Sequence, residues 1–256
     1  MKTIYLFLGI FVSLAFSAPS DQERIVGGSI TTINNYPFAV SLQLTRNNVN
    51  FNHQCGGTIL NNRSMVSAAH CWVNNPVASR YRCRAGSTTK SSGGWSHNVA
   101  QLFGHPHYSP RNHDNDIGVV RVATAFQLGA ATVRAGNIAR SNHNVPDNRD
   151  VIAIGWGFIS TNGPLSEQLR HVVLRTVNQA RCNRDFGGSI TANMLCANWH
   201  DGRRSICFGD SGTGLIMNNV VIGISSFIGW DGCGSTRFPA VFARISRYEA
   251  WIRNHA

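Results

Sequence analysis

Cys207-Phe208-Gly209-Asp210-Ser211-Gly212 and, far upstream, Ser67-Ala68-Ala69-His70-Cys71 offer a serine in a glycine-rich turn and a histidine, each close to a cysteine. A serine hydroxyl is a poor nucleophile at its own pKa. Attack on an amide needs an imidazole to take the proton and a third group to hold that imidazole in one tautomer. Ser211 and His70 supply the first two. Asp116 in Asn115-Asp116-Ile117-Gly118-Val119-Val120 is the best third, because a carboxylate opening an apolar run enters a strand and is shielded from water. Asp114 precedes that run and is expected to face solvent. Gly, Asp and Ser are all turn formers, so either segment alone has a structural reading, and only their combination points to nucleophilic catalysis.

The amino terminus points to export. Met1-Lys2 is followed by the apolar run Ile4 to Phe16, and Ala15-Phe16-Ser17 provides small residues before Ala18, the pattern of a leader spanning 1–17. The run is shorter than the roughly 20 residues that span a bilayer, and no later stretch is longer, so no membrane association is expected. A short propeptide, 18–24, ends at Arg24, ahead of Ile25-Val26-Gly27-Gly28.

Those four residues, with Ala-Ala-His-Cys, Asn-Asp-Ile and Gly-Asp-Ser-Gly, resemble the chymotrypsin-like serine protease family from Arg24 to the C-terminus. The chain order His, Asp, Ser is the chymotrypsin order. Arg84-Ala85-Gly86-Ser87 and Pro239-Ala240-Val241-Phe242-Ala243-Arg244 are similar to insect, especially lepidopteran, midgut proteases. The resemblance implies an all-β, Greek-key fold of two packed antiparallel β-barrels, about 25–130 and about 131–244, with a terminal helix at about 246–255. It implies a secreted serine endopeptidase acting on proteins or peptides through His70, Asp116 and Ser211. It further implies activation at Arg24 by a trypsin-like protease, pairing of the new Ile25 amine with Asp210, and an oxyanion hole from the N–H groups of Gly209 and Ser211. A monomer is expected, with protein protease inhibitors as further partners.

Seven cysteines in an exported chain indicate disulfides with one left over. The resemblance pairs Cys55 with Cys71, Cys182 with Cys196 and Cys207 with Cys233, leaving Cys83 as a buried thiol. No metal or cofactor is expected: the histidines lack paired ligand spacing, no C-x-x-C occurs, and Ser87 to His97 holds no carboxylate for calcium.

The 256 residues carry a formal charge of +11, unchanged when 1–24 is removed because Lys2 and Arg24 leave with Asp21 and Glu23. Its arginines are dispersed, and Arg80-Arg82-Arg84 reads as one solvated strand face rather than a nucleic-acid patch. After residue 24 the only lysine is Lys90. Arginine keeps its charge above pH ~12 whereas lysine loses it near ~10.4, a choice suited to an alkaline fluid such as an insect gut lumen.

Specificity departs from trypsin. Six residues before Ser211, at the family's pocket floor, stands Ser205 where trypsin has an aspartate, so cleavage after Arg or Lys is expected to be poor. Ser225 to Cys233 resembles the family strand that pairs with substrate, which places Ser226 at the pocket, where it would also hydrogen-bond Asp116. Ile228 and Ala240 fall where chymotrypsins carry glycine and would narrow the slot toward an elastase-like preference for Ala, Val or Leu. A second departure is Gly212-Thr213-Gly214, where the family continues Gly-Gly-Pro. A nucleophile misplaced by ~1 Å loses ~100-fold in rate, so the competing reading is an inactive homologue that binds a partner through the same cleft.

Overall fold

The computed structural model describes residues 26–256. The leader, the propeptide and the Arg24-Ile25 junction therefore lie outside the described residues. Short apolar or alternating runs bounded by turn residues form thirteen strands. In the first barrel these are β2 (Ala39–Thr45), β3 (Phe51–Ile59), β4 (Ser64–Ser67), β5 (Tyr81–Ala85), β6 (Trp95–Gly104) and β7 (Gly118–Val122). They close antiparallel in the order β2-β3-β4-β7-β6-β5. In β5 the two-residue period is explicit: Tyr81, Cys83 and Ala85 are buried while Arg82 and Arg84 are half-buried on the other face. Those arginines are occupied at home. Arg82 donates to Gln43 Oε1 at 2.6 Å and lies over the Phe51 ring, and Arg84 donates to the Gly93 carbonyl.

The second barrel is built from β8 (Asp150–Gly155), β9 (Arg170–Val177), β10 (Met194–Asn198), β11 (Gly214–Met217), β12 (Val220–Phe227) and β13 (Ala240–Arg244). Neighbours run β9-β10-β13-β12-β11-β8, and pairing of β8 with β9 closes the ring. The short β1 (Ser29–Ile30) adds to β9 through Ser29↔His171 and Ile30↔Arg170, so the start of the described residues is stitched onto the second barrel. The β11–β12 hairpin turns on Asn218 and Asn219, with φ of 49° and 61°. Asparagine tolerates this left-handed region, and a two-residue turn of that hand matches the strand twist.

Among the described residues two α-helices complete the fold. In α1 (Gln179–Asp185) the Asn178 side chain accepts from the Arg181 N–H as an N-cap. The terminal helix α2 (Glu249–His255) starts later than the spacing of Tyr248, Trp251 and Ile252 predicts, because Ile245–Arg247 is wound as a 3₁₀ turn. Its free carbonyls are met from the first barrel: Arg121 of β7 donates to the carbonyls of His255 and Ala256 at 3.1 and 3.4 Å. Three disulfides join Cys55–Cys71, Cys182–Cys196 and Cys207–Cys233. Among the described residues no helix is long and apolar enough to cross a membrane.

Cys83 is fully buried in the first barrel, 3.7 Å from Met65 Sδ, and burial raises its thiol pKa. A buried, protonated thiol is inert. Ellman's reagent should therefore find no reactive thiol in the folded protein and one after unfolding without reductant; rapid labelling of the native state would mean that the barrel opens at β5.

Candidate active site

His70 sits in the 3₁₀ turn Ala69–Cys71 that follows β4, and Asp116 lies two residues before β7, so antiparallel pairing of β4 with β7 sets them side by side. The His70 backbone N–H donates to Asp116 Oδ1 at 2.9 Å and the ring Nδ1–H to Oδ2 at 2.7 Å. Ser226 Oγ, at the end of β12, donates to the same Oδ2 at 2.5 Å. Burial alone would raise the Asp116 carboxyl, but the hydrogen bonds from His70 and Ser226 outweigh it and hold the group below its ordinary value. Asp116 is thus an ionised, fully enclosed acceptor that fixes the His70 tautomer with Nε2 toward the cleft.

Ser211 enters the same cleft, of about 490 Å³, from the second barrel. Among the described residues no hydrogen bond joins its side chain to His70, so only the His70–Asp116 half of the relay is made without substrate. Such contacts commonly tighten only when substrate arrives. The turn that carries Ser211 is heavily constrained. Gly209 and Gly212 have φ of +91° and +83°, open to glycine without strain. The Gly56 N–H donates to the Ser211 carbonyl at 2.7 Å, and the Gly212 N–H to Ser225 at 2.8 Å. The N–H groups of Gly209 and Ser211 find no acceptor among the described residues, which leaves two adjacent donors available to a developing oxyanion.

Two side chains shape this turn. Asp210 is fully enclosed and accepts from the N–H groups of Gly157 and Cys207, at 2.8 and 2.9 Å. Burial pushes its carboxyl up to about 7 against those two bonds. His53, which no sequence motif marks, bridges the barrels: its Nε2–H donates to the Gly209 carbonyl at 2.8 Å and its Nδ1 accepts from Ser41 Oγ at 2.8 Å. It fixes the peptide that carries the Gly209 carbonyl. Desolvation lowers its pKa to about 4, against the opposing pull of that carbonyl.

Thr213 fits where the sequence suggested strain. Its Oγ1 donates to the Asp210 carbonyl at 2.6 Å, and its methyl occupies the space over Gly56, where a Cβ would lie 2.1 Å from it. Asp114 departs from expectation as well. It is half-buried and accepts from Thr191 Oγ1 at 2.7 Å and Asn193 Nδ2 at 3.1 Å, tying the loop before Asp116 to the second barrel rather than facing solvent.

Of the expected pocket residues, Ser226 and Ile228 line the cleft. Ser205 and Ala240 are buried outside its lining: Ser205 donates its N–H to the Val26 carbonyl at 3.1 Å, and Ala240 is paired with Ala197 in the barrel wall. The lining instead includes His113, Asp231 and two exposed aromatics, Phe208 and Trp230. Trp230 packs on Phe238 (ring centroids 4.2 Å), which lies under Gly229. A β-bulge between Ser225 and Phe227 shifts this segment out of simple alternation, so sequence spacing alone misplaces it.

The family model described as Trypsin matches residues 25–252. The chain belongs to the trypsin family. It is 47% identical to "Trypsin, alkaline C" of Manduca sexta, over 98% of this chain and 99% of that one. It is 44% identical to "Trypsin CFT-1" of Choristoneura fumiferana over the whole of both, and 40% to "Achelase-1" of Lonomia achelous over 91% of this chain and all of that one. Within the trypsin family it is a serine endopeptidase, and its substrates are proteins.

Two expectations follow. Gly56→Ala should destabilise the enzyme by about 1–3 kcal/mol, as overpacked cores do. Thr213→Ser, which removes the obstructing methyl and keeps the hydroxyl, should recover part of that loss in the double variant; additive losses in denaturant unfolding would mean the two do not touch. For His53, the folded-state pKa lies below the unfolded value, so the stability gained by keeping it neutral is complete above pH 6.5 and lost as pH falls toward 4. Over that window the native protein should lose up to roughly 3 kcal/mol more than His53→Gln, at about 1.36 kcal/mol per pKa unit. Parallel pH profiles would show that His53 is not held neutral by the fold.

Proposed function

We propose that this trypsin-family endopeptidase works through Ser211, His70 and Asp116. Ser211 Oγ attacks the scissile carbonyl while His70 Nε2 takes its proton and later delivers it to the departing amine. Asp116 stabilises the imidazolium and holds its orientation, and the N–H groups of Gly209 and Ser211 receive the oxyanion. The observation that carries this reading is the shielded Asp116–His70 pair sharing one cleft with Ser211.

The enzyme is made as an exported zymogen. A trypsin-like protease cleaves after Arg24, and the freed Ile25 amine pairs with Asp210. A carboxyl raised to about 7 by burial is a strong receiver for such a charge, since an adjacent ammonium would restore its ionised form and tighten the turn around it. The mature enzyme acts as a monomer, is open to protein inhibitors at the cleft, and works in an alkaline gut lumen. Support for the last point is the near-exclusive use of arginine over lysine and the word "alkaline" in the names of relatives.

Before the scissile bond the enzyme prefers small or medium apolar residues. Ile228 narrows the cleft it lines, and Ser205, buried outside that lining, brings no charge to an Arg or Lys side chain. One observation favours a trypsin-like reading instead: Asp231 is a carboxylate in the cleft lining, and the relatives are named trypsins.

Fluorophosphonate labelling before and after cleavage at Arg24, followed by profiling on a peptide library, tests the whole scheme. Labelling should require cleavage and vanish in Ser211→Ala, and the profile should favour Ala, Val and Leu. Ile228→Gly should raise kcat/KM for Phe and Tyr roughly tenfold, about 1.4 kcal/mol, equivalent to ~55 Å² of newly buried ring at ~25 cal/mol per Å². A profile dominated by Arg and Lys, and lost in Asp231→Asn, would establish the trypsin-like reading. Labelling that persists in Ser211→Ala would move the nucleophile elsewhere.

A further inference from the structure

His113 is an ionisable group in the cleft for which the reaction has no use. It projects from the loop before Asp116 with a φ of +55°, a conformation uncommon outside glycine. Its ring is stacked on Phe227, with centroids 5.2 Å apart and planes at 29°, and stands edge-on to His70 at 5.7 Å and 85°. The Nδ1 atoms of both rings are engaged: His70 with Asp116 Oδ2 at 2.7 Å, His113 with Tyr108 Oη at 3.2 Å. When each Nδ1–H donates to its oxygen, both Nε2 lone pairs are open. That is the arrangement in which metal-ligating histidines are found, the far nitrogen anchored by a carboxylate or other oxygen that fixes tautomer and ring orientation.

One donor atom from each of His70, His113 and Asp116 lies within 4.8 Å of the other two. Among the described residues, His113 Nε2 has no hydrogen-bond partner, and His70 Nε2 has only a distant Cys71 Sγ at 3.9 Å. A second grouping, Cys55, His70 and Cys71, is no rival, since its two sulfurs are joined to each other.

We propose that His70 and His113 form an inhibitory site for a borderline divalent transition metal, Zn²⁺ foremost, held by the two Nε2 atoms with water completing the shell. Imidazole nitrogen suits zinc and copper, whereas calcium and magnesium take oxygen donors. Zn–N bonds of about 2.0–2.1 Å in tetrahedral geometry set the nitrogens roughly 3.3 Å apart. Any adjustment to that separation falls to a turn of the His113 ring about χ2, a soft torsion. Asp116 and Tyr108 act on the far nitrogens. The metal occupies the lone pair with which His70 would take the Ser211 proton, so turnover stops until the ion is chelated. Inhibition rests on the reading of His70 as the base; binding does not.

The test uses activated enzyme for inhibition and the Ser211→Ala protein for calorimetric binding, with ZnCl₂ as the probe. Zn²⁺ should bind and inhibit over the same concentration range, EDTA should restore activity, and Ca²⁺ and Mg²⁺ should do neither. His113→Phe keeps a ring on Phe227 and should weaken both readouts at least ~10-fold, each rate being referred to the variant's own metal-free value. Tyr108→Phe should weaken binding less. Equal Zn²⁺ affinity in His113→Phe would overturn the site. Binding that depends on His113 but leaves turnover intact would overturn the inhibitory role alone, whereas full metal-free turnover in His70→Ala would overturn the assignment of His70 as base.

Discussion

The Gly56 N–H to Ser211 carbonyl bond, 2.7 Å long, joins the two barrels at the point where the reaction would occur. Its neighbour Cys55 is bonded to Cys71, next to His70, so two consecutive residues of β3 hold the base from one side and the nucleophile from the other. Ser67 Oγ donates to the Gly56 carbonyl at 2.7 Å, and the Thr213 methyl fills the space that a side chain at Gly56 would need. Neither barrel contains a site by itself. Register across this seam decides whether Ser211 and His70 can meet, and glycine at 56 is what lets the seam close.

Two carboxylates buried to the same depth are driven in opposite directions. Asp116 receives charged-capable His70 and the Ser226 hydroxyl and is held low; Asp210 receives only two backbone N–H groups and is pushed to about 7. Burial opposes ionisation in both, and the donors decide the outcome. The first is therefore a permanent anion that orients an imidazole, while the second is sensitive to whatever positive charge comes near it.

Much of this was legible in local sequence because the relevant signals are local. Strand alternation in Tyr81–Ala85, the apolar run after Asp116 and the glycine turn around Ser211 each declare themselves within a few residues. His53 and His113 do not. One is a lone histidine in a strand and the other lies in a loop, and only barrel closure brings them against Gly209 and His70. Asp114 looked solvated because its partners, Thr191 and Asn193, come from the other barrel. Around the pocket, the bulge after Ser225 breaks the two-residue period, so the sides on which Ile228, Gly229 and Trp230 fall cannot be counted from Cys233.

The clasp between Arg121 and the carbonyls of His255 and Ala256 ties the end of the α2 helix to a strand of the first barrel. That helix is made after every strand of both barrels, so the first barrel gains this support only once the second has been synthesised. A chain cut before Glu249 would keep every residue of the cleft yet lack the latch that ties the helix to the first barrel. An affinity tag appended after Ala256 would press on the same latch, whereas an exposed loop offers a gentler place for one.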